Sequence, residues 1–193
     1  MYGRFTEEMK DAVRPYVEGQ HVLDVGAGNC AKAKTLARLG AEKVVCVDPD
    51  FPVELYIDPE LEPYIFPLYG YLDEKIARHG CAALGNVAFL SWIPNKPLPG
   101  LVEVLQGMEY VIYLGCNYGG TACGTLSLYL DLLGRELLVE IATPQNTLLI
   151  LGRRKYGYTR NPTFEEYCGV NTRSMYRWED KARIEARIML PPP

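Results

Sequence analysis

The chain has 193 residues and a formal net charge of −4, with 48% hydrophobic and 23% charged residues. These values are typical of one globular α/β domain with a sizeable core. No apolar run approaches the roughly 18 residues of a membrane-spanning helix, and the polar N-terminus carries no secretory signal. We therefore expect a cytoplasmic protein with one domain over residues 1–193, which includes a polar C-terminal extension over 152–193.

The sequence lacks the residue pattern of a structural metal site and of a histidine-based catalytic triad. The six cysteines include no CxxC pair, and His21 and His79 are the two histidines of the sequence. Structural zinc sites use closely spaced ligand pairs, and a catalytic triad needs a histidine beside a nucleophile. We expect no metal site, and we expect Cys46, inside an apolar run, to be a buried hydrophobic residue.

Charge is unevenly distributed along the chain. Residues 1–150 carry 11 Lys/Arg and 19 Asp/Glu, whereas residues 151–193 carry 9 and 5. The densest basic cluster consists of Arg153, Arg154, Lys155 and Arg160. This cluster would face a phosphate-bearing substrate or form an exposed surface beside the acidic body, and the second interpretation is favoured. Nucleic-acid-binding domains usually show a stronger basic excess, so nucleic acid is not the expected partner, although the sequence leaves it open.

The first quarter of the chain has the pattern of a βαβ unit. Thr6 is a plausible N-cap, and Pro15 is expected to bend or end the helix that follows it. A turn over Gly26–Gly28 connects the first strand to the second helix, which Gly40 closes. The predicted elements are, in order, a helix over 7–14, a strand over 21–25, a helix over 30–39 and a strand over 44–47.

The rest of the chain alternates strands and helices less regularly. Five prolines make residues 49–70 mostly loop, with one short strand near 64–66. A helix over 72–79 should end at Gly80. Two apolar runs separated by five residues predict a closing antiparallel hairpin. The remaining predicted elements are strands over 87–92 and 110–114, helices over 101–106 and 125–133, the hairpin strands over 137–141 and 147–151, and a helix over 179–188.

Strands that alternate with helices predict a mainly parallel sheet with helices on both faces. The segment Gly26 to Ala31 fits the GxGxxG/A spacing of nucleotide-binding folds, which is a weak signal alone. Asp48 lies 20 residues after Gly28, at the end of the second strand, where a carboxylate can bind the two hydroxyls of a ribose.

Asp24 distinguishes a dinucleotide from S-adenosylmethionine as the expected ligand, because it lies at the mouth of the glycine turn. Its carboxylate would repel a pyrophosphate and attract the ammonium group of S-adenosylmethionine, directly or through water. The alternative is that Asp24 caps the turn by accepting hydrogen bonds from backbone N–H groups. The two roles are compatible.

Residues 22–28 and 45–48 resemble the first two motifs of class I S-adenosylmethionine-dependent methyltransferases. The closing hairpin resembles the last two strands of that family, with the final strand inserted antiparallel. The resemblance implies a Rossmann-like domain in which Gly26, Ala27 and Gly28 wrap the methionine part and Asp48 holds the ribose. Phe51 would lie against the adenine or anchor its loop in the core, two equally weighted interpretations.

The resemblance is incomplete in the middle of the chain. The family often places an acidic or polar residue after its third strand, near the adenine amine. Here residues 49–70 offer no clear third strand, and no more than a weak candidate, Asp73, is available for that role. The run from Ser91 to Pro94 is similar to the Asn/Asp/Ser-Pro-Pro-aromatic motif of methyltransferases that act on amino groups, but lacks proline at the second position. The candidates for the acceptor side follow strand ends: Ser91, Trp92, Asn117 and Tyr118. Strand-end packing or turn formation would equally explain Trp92, Asn117 and Tyr118.

Three functions follow from this pattern. The first is methyl transfer from S-adenosylmethionine to an unidentified acceptor, for which the scarcity of histidine is no objection because the methyl group is already activated. The second is a non-catalytic S-adenosylmethionine-binding protein. The third is a nicotinamide-dependent oxidoreductase, which Asp24 disfavours.

Overall fold

The computed structural model describes residues 5–91, 99–115, 135–143 and 146–153. Within these ranges the chain forms seven strands and five helices. The strands are β1 (His21–Val25), β2 (Lys43–Asp48), β3 (Ile65–Tyr69), β4 (Val87–Ser91), β5 (Tyr110–Gly115), β6 (Glu136–Ala142) and β7 (Thr147–Gly152). The helices are α1 (Glu7–Val17), α2 (Ala31–Arg38), α3 (Leu72–His79), α4 (Cys81–Leu84) and α5 (Leu101–Gly107).

All seven strands belong to one sheet with the order β3-β2-β1-β4-β5-β7-β6. The first five strands in this order pair in parallel, and β7 pairs antiparallel with both β5 and β6. The predicted hairpin and the antiparallel insertion of its final strand are therefore confirmed. The strand order reverses between β1 and β4, where open α/β sheets form the crevice that binds ligands.

Two apolar cores lie on opposite faces of the sheet. The first includes Met9 and Val13 of α1 and Leu36 of α2, and the second includes Leu72 of α3 and Val104 of α5. Strands β1, β2, β4 and β5 contribute alternate residues to each core, which is why they read as continuous apolar runs. Cys46 is buried in the first core, as predicted.

The first helix continues through Pro15 to Val17, so the predicted end near Arg14 is wrong. Met9, Val13 and Val17 are fully buried at i, i+4 spacing on one face of this helix. Burial of Val17 compensates for the hydrogen bond that Pro15 cannot donate. The predicted N-cap is confirmed, because the Thr6 hydroxyl accepts a hydrogen bond of 3.2 Å from the Met9 N–H.

Strand β3 corrects the expectation that the proline-rich stretch lacks a clear third strand. The Val44 N–H donates to the Tyr64 carbonyl, and the Gly70 N–H donates to the Asp48 carbonyl. Alternate residues of a strand direct their backbone groups to opposite sides, so the nitrogen of Pro67 faces away from β2. At the edge of a sheet this missing N–H costs no ladder hydrogen bond. Proline is therefore compatible with this strand.

Most other boundaries agree with the sequence patterns to within one or two residues. Helix α3 has the predicted bounds, and Gly80 is its C-cap. The short helix α4 was not predicted. The helices predicted over 125–133 and 179–188 lie outside the described residues. No helix within the described ranges is long and apolar enough to cross a membrane.

Candidate functional site

The turn after β1 lies at the carboxyl end of the sheet and is fixed to β2. The Gly26 N–H donates to the Val47 carbonyl at 2.9 Å. Gly26 and Gly28 have φ angles of 71° and 54°, which are strained for residues with a side chain. A Cβ at either position would meet no atom within 4 Å. The turn thus presents bare backbone to open space, where a ligand can approach closely.

Asp24 belongs to β1, two residues before Gly26 of this turn, and its carboxyl group is fully buried. Neither of its oxygens has a hydrogen-bond partner in the described part of the chain. Burial, reinforced by the neighbouring charge of Asp48, raises the pKa of Asp24 from 3.8 to about 7, while the Lys32 ammonium opposes the shift. An unpaired buried carboxyl group is energetically unfavourable, so this position favours a cationic partner.

Asp48, rather than Asp24, caps the glycine turn by accepting hydrogen bonds from backbone N–H groups. Its carboxylate accepts hydrogen bonds of 2.8 Å from the Gly28 N–H and from the Asp50 N–H. The Asp48 side chain therefore connects β2 to the glycine turn. A carboxylate has about four acceptor positions, so Asp48 keeps capacity for further hydrogen bonds at its half-exposed surface.

Two aromatic rings lie beyond Asp48, at the ends of β2 and β3. The Phe51 and Tyr69 ring centroids are 6.3 Å apart, with the planes tilted by 46°. Phe51 packs against the first core, so it does anchor its loop. Tyr69 is 66% exposed and was not identified from the sequence, because the prolines obscured β3. Its signal would have been an aromatic residue at a strand end beside Gly70.

Lys32 and Phe5 also belong to the surroundings of Asp24, although neither was predicted as a site residue from the sequence. The Lys32 Nζ lies 5.7 Å from the centroid of the Phe5 ring. Phe5 is buried and stacks on Phe89 at 5.6 Å, and Phe89 is the register partner of Asp24 on β4. Burial lowers the pKa of Lys32, and the Asp24 charge opposes this effect. A lysine at the second position of the helix after the glycine turn would have been its signal in the sequence.

Ser91 is the one acceptor-side candidate that the described residues include. It is the last residue of β4, is buried, and pairs in register with Leu114 of β5. Trp92, Asn117 and Tyr118 lie outside the described residues, as do Arg154, Lys155 and Arg160. Among the residues described, no group of three or more His, Cys, Asp or Glu is placed to hold a metal ion.

Solved structures of low sequence identity share this architecture. A proposed RNA methyltransferase from Pyrococcus horikoshii is 16% identical, with a TM-score of 0.52 over 76% of this chain and 82% of that chain. A proposed tRNA (m1A22) methyltransferase from Streptococcus pneumoniae is 12% identical, with a TM-score of 0.51 over 96% of each chain. A protein of the NADB-Rossmann superfamily from Streptococcus agalactiae is 13% identical, with a TM-score of 0.52 over 97% and 96%.

The chain has the fold of these proteins. The predicted Rossmann-like α/β class and the resemblance to class I methyltransferases are thereby confirmed at the level of the fold. No family model and no curated protein matches the sequence.

Proposed function

We propose that this protein is an S-adenosylmethionine-dependent methyltransferase. The observation that carries the proposal is the Asp24 carboxyl group, which is fully buried and has no hydrogen-bond partner within the described residues. It lies beside a glycine turn at the point where the strand order reverses. The ammonium group of the cofactor would neutralise this carboxylate, whereas a pyrophosphate would add a second negative charge.

The residues around Asp24 supply the other contacts that this cofactor needs. Gly26 and Gly28 leave space for the methionine part, and Ala27 is buried between them. Asp48 retains acceptor positions for the ribose hydroxyls, because its two hydrogen bonds to backbone N–H groups use only part of its capacity. The rings of Phe51 and Tyr69 would contact the adenine, since they lie close to each other and Tyr69 is the register partner of Asp48 on β3.

Bound S-adenosylmethionine supplies an activated methyl group, so this chain has to orient the cofactor and exclude water. Asp24 fixes the ammonium end, and the buried Asp24, Phe5 and Phe89 make that end of the site dry. Ser91 at the end of β4 would orient the acceptor, together with Trp92, Asn117 and Tyr118. No strong base is required unless the acceptor has a high pKa.

Calorimetric titration with S-adenosylhomocysteine, S-adenosylmethionine and NAD tests the cofactor. We expect both sulfur ligands to bind and NAD to bind far more weakly. A ligand at 100 times its dissociation constant should stabilise the fold by about 2.7 kcal/mol, which thermal unfolding measures independently. Tight binding of NAD with no response to S-adenosylhomocysteine would support the oxidoreductase instead.

Release of S-adenosylhomocysteine tests turnover against a panel of acceptors. The panel contains amines, hydroxylated aromatics and thiols, and also total tRNA, because two proteins of the same fold are described as RNA methyltransferases. We expect at least one class to be methylated. Tight cofactor binding without turnover of any acceptor would support a non-catalytic S-adenosylmethionine-binding protein.

A further inference from the structure

Lys32 brings a positive charge to the same face of the sheet as Asp24. It is the second residue of α2, and its side chain is half-buried. The Lys32 Nζ lies 5.7 Å from the centroid of the Phe5 ring, and Phe5 stacks on Phe89 at 5.6 Å. Asp24 and Phe89 are register partners on adjacent parallel strands, so their side chains share a face of the sheet. A chain of ring contacts therefore leads from the ammonium group of Lys32 to the strand position beside Asp24.

The two charges act on each other without a hydrogen bond. The Lys32 charge lowers the pKa of Asp24, and the Asp24 charge raises the pKa of Lys32, in each case against the larger effect of burial. Neither Asp24 oxygen has a hydrogen-bond partner in the described part of the chain. Opposite charges that meet directly form short, charge-assisted hydrogen bonds. The fold instead keeps these two charges apart, and a ligand with one charge of each sign would complement both.

S-adenosylmethionine carries such a pair of charges. Its methionine part ends in an ammonium group and a carboxylate on the same carbon atom, and this carboxylate is the one negative group of the molecule. Under the proposed function Asp24 holds the ammonium group. A cation beside Asp24 repels both the ammonium group and the sulfonium, so Lys32 would weaken binding unless it meets the carboxylate.

We propose that Lys32 binds the α-carboxylate of the cofactor and makes the site specific for ligands with an intact amino acid group. This inference rests on the proposed binding of S-adenosylmethionine. A ligand that keeps the ammonium group but lacks the carboxylate gives Lys32 nothing to bind, so one charge-assisted hydrogen bond is lost. At a half-buried position we expect this loss to weaken binding about tenfold.

Calorimetry with S-adenosylhomocysteine and its decarboxylated analogue, in which a propylamine chain replaces the amino acid part, tests this role. The wild type should prefer S-adenosylhomocysteine about tenfold. Lys32→Met, which keeps an apolar chain of similar length beside Phe5 but no charge, should bind the two ligands within twofold of each other. Lys32→Gln should lose the preference in the same way, so the test does not depend on the folding of one variant. Lys32→Arg should keep it.

The ratio of the two affinities isolates the carboxylate from other effects of the substitution. Removal of the Lys32 charge also raises the pKa of Asp24, which weakens both ligands equally because both carry an ammonium group. Lys34→Met on the same helix is the matched control, since the Lys34 Nζ lies 5.1 Å from the centroid of the exposed Tyr56 ring. Both affinities of this control should stay within twofold of the wild type.

The inference is overturned if the wild type binds S-adenosylhomocysteine and its decarboxylated analogue equally well. It is also overturned if Lys32→Met and Lys32→Gln keep the wild-type ratio. A loss of affinity by the same factor for both ligands would mean that Lys32 acts on Asp24 alone. Failure of the wild type to bind S-adenosylhomocysteine would instead refute the proposed function.

Discussion

Asp24→Asn replaces the buried carboxyl group by a neutral side chain of nearly the same shape. The pKa of Asp24 is about 7 in the folded protein, against an ordinary value of 3.8. A difference of about three pH units at 1.36 kcal/mol each means that the ionised group destabilises the fold by about 4 kcal/mol above pH 7. The variant lacks this destabilisation, so we expect it to be more stable than the wild type at neutral and alkaline pH.

The free energy of unfolding of the wild type should fall as the pH rises. The folded-state pKa is raised, so the unfolded chain loses its proton first as pH rises from about 4 to about 7, and wild-type stability falls through this window. Above pH 7 both states are ionised and the cost is constant. The advantage of Asp24→Asn should therefore be about 4 kcal/mol at pH 8 and about 2 kcal/mol at pH 5. Urea denaturation at pH 5, 6, 7 and 8 measures this difference.

The cofactor affinity of the wild type should rise with pH, whereas its stability falls. Because the ammonium group requires an ionised Asp24, wild-type affinity for S-adenosylhomocysteine should rise about tenfold from pH 6 to pH 8. Asp24→Asn should bind weakly, with no such dependence. Asp24→Glu is unsuitable as a control, since the longer side chain would not fit a fully buried position. If Asp24→Asn is more stable and also binds S-adenosylhomocysteine as tightly as the wild type, Asp24 does not hold the cofactor.

Four other variants test three separate parts of the site and fold. Asp48→Ala should weaken S-adenosylhomocysteine binding about tenfold without unfolding the protein, as calorimetry and circular dichroism would measure, and unchanged affinity would place the ribose elsewhere. Ser91→Ala and Asn117→Ala should each reduce methyl transfer on the order of 10- to 100-fold with cofactor affinity within a few-fold, and loss of cofactor binding at wild-type turnover would contradict the division of the site. Arg135→Met should lower the free energy of unfolding by about 2–4 kcal/mol and leave S-adenosylhomocysteine binding intact, because the buried guanidinium donates to the Met108 and Glu109 carbonyls at 2.5 and 3.2 Å.

The sequence predicted those parts of the fold in which local pattern and tertiary environment agree. Strand β1 and helix α3 have the predicted bounds, because an apolar run and a terminal glycine each suffice to define them. The predictions around Pro15 and Pro67 were wrong for a common reason. The cost of a proline depends on whether its missing N–H is needed, and that is decided by the position in the folded sheet or helix rather than by the residue.

The candidate site was predictable only where its residues follow strands directly. Asp24 and Asp48 were identified by their spacing from the glycine turn, but the hydrogen bond from the turn to Asp48 was not predicted, since this capping comes from the neighbouring strand. Lys32 reaches the site from the first turn of α2, and Phe5 reaches it by stacking on Phe89 of β4, contacts that only the tertiary fold creates.

The position of β7 between β5 and β6 has a consequence for the order of folding during synthesis. Strand β6 pairs with β7, and β7 is the strand that joins it to β5. When residues 136–142 leave the ribosome they therefore have no place in the sheet until residues 147–152 follow. A nascent chain that stops before Thr147 loses two strands rather than one, and it leaves β5 with an unprotected edge that can pair with other chains. Among the strands that the structure describes, the sheet is thus completed only when β7, the last of them along the chain, is synthesised.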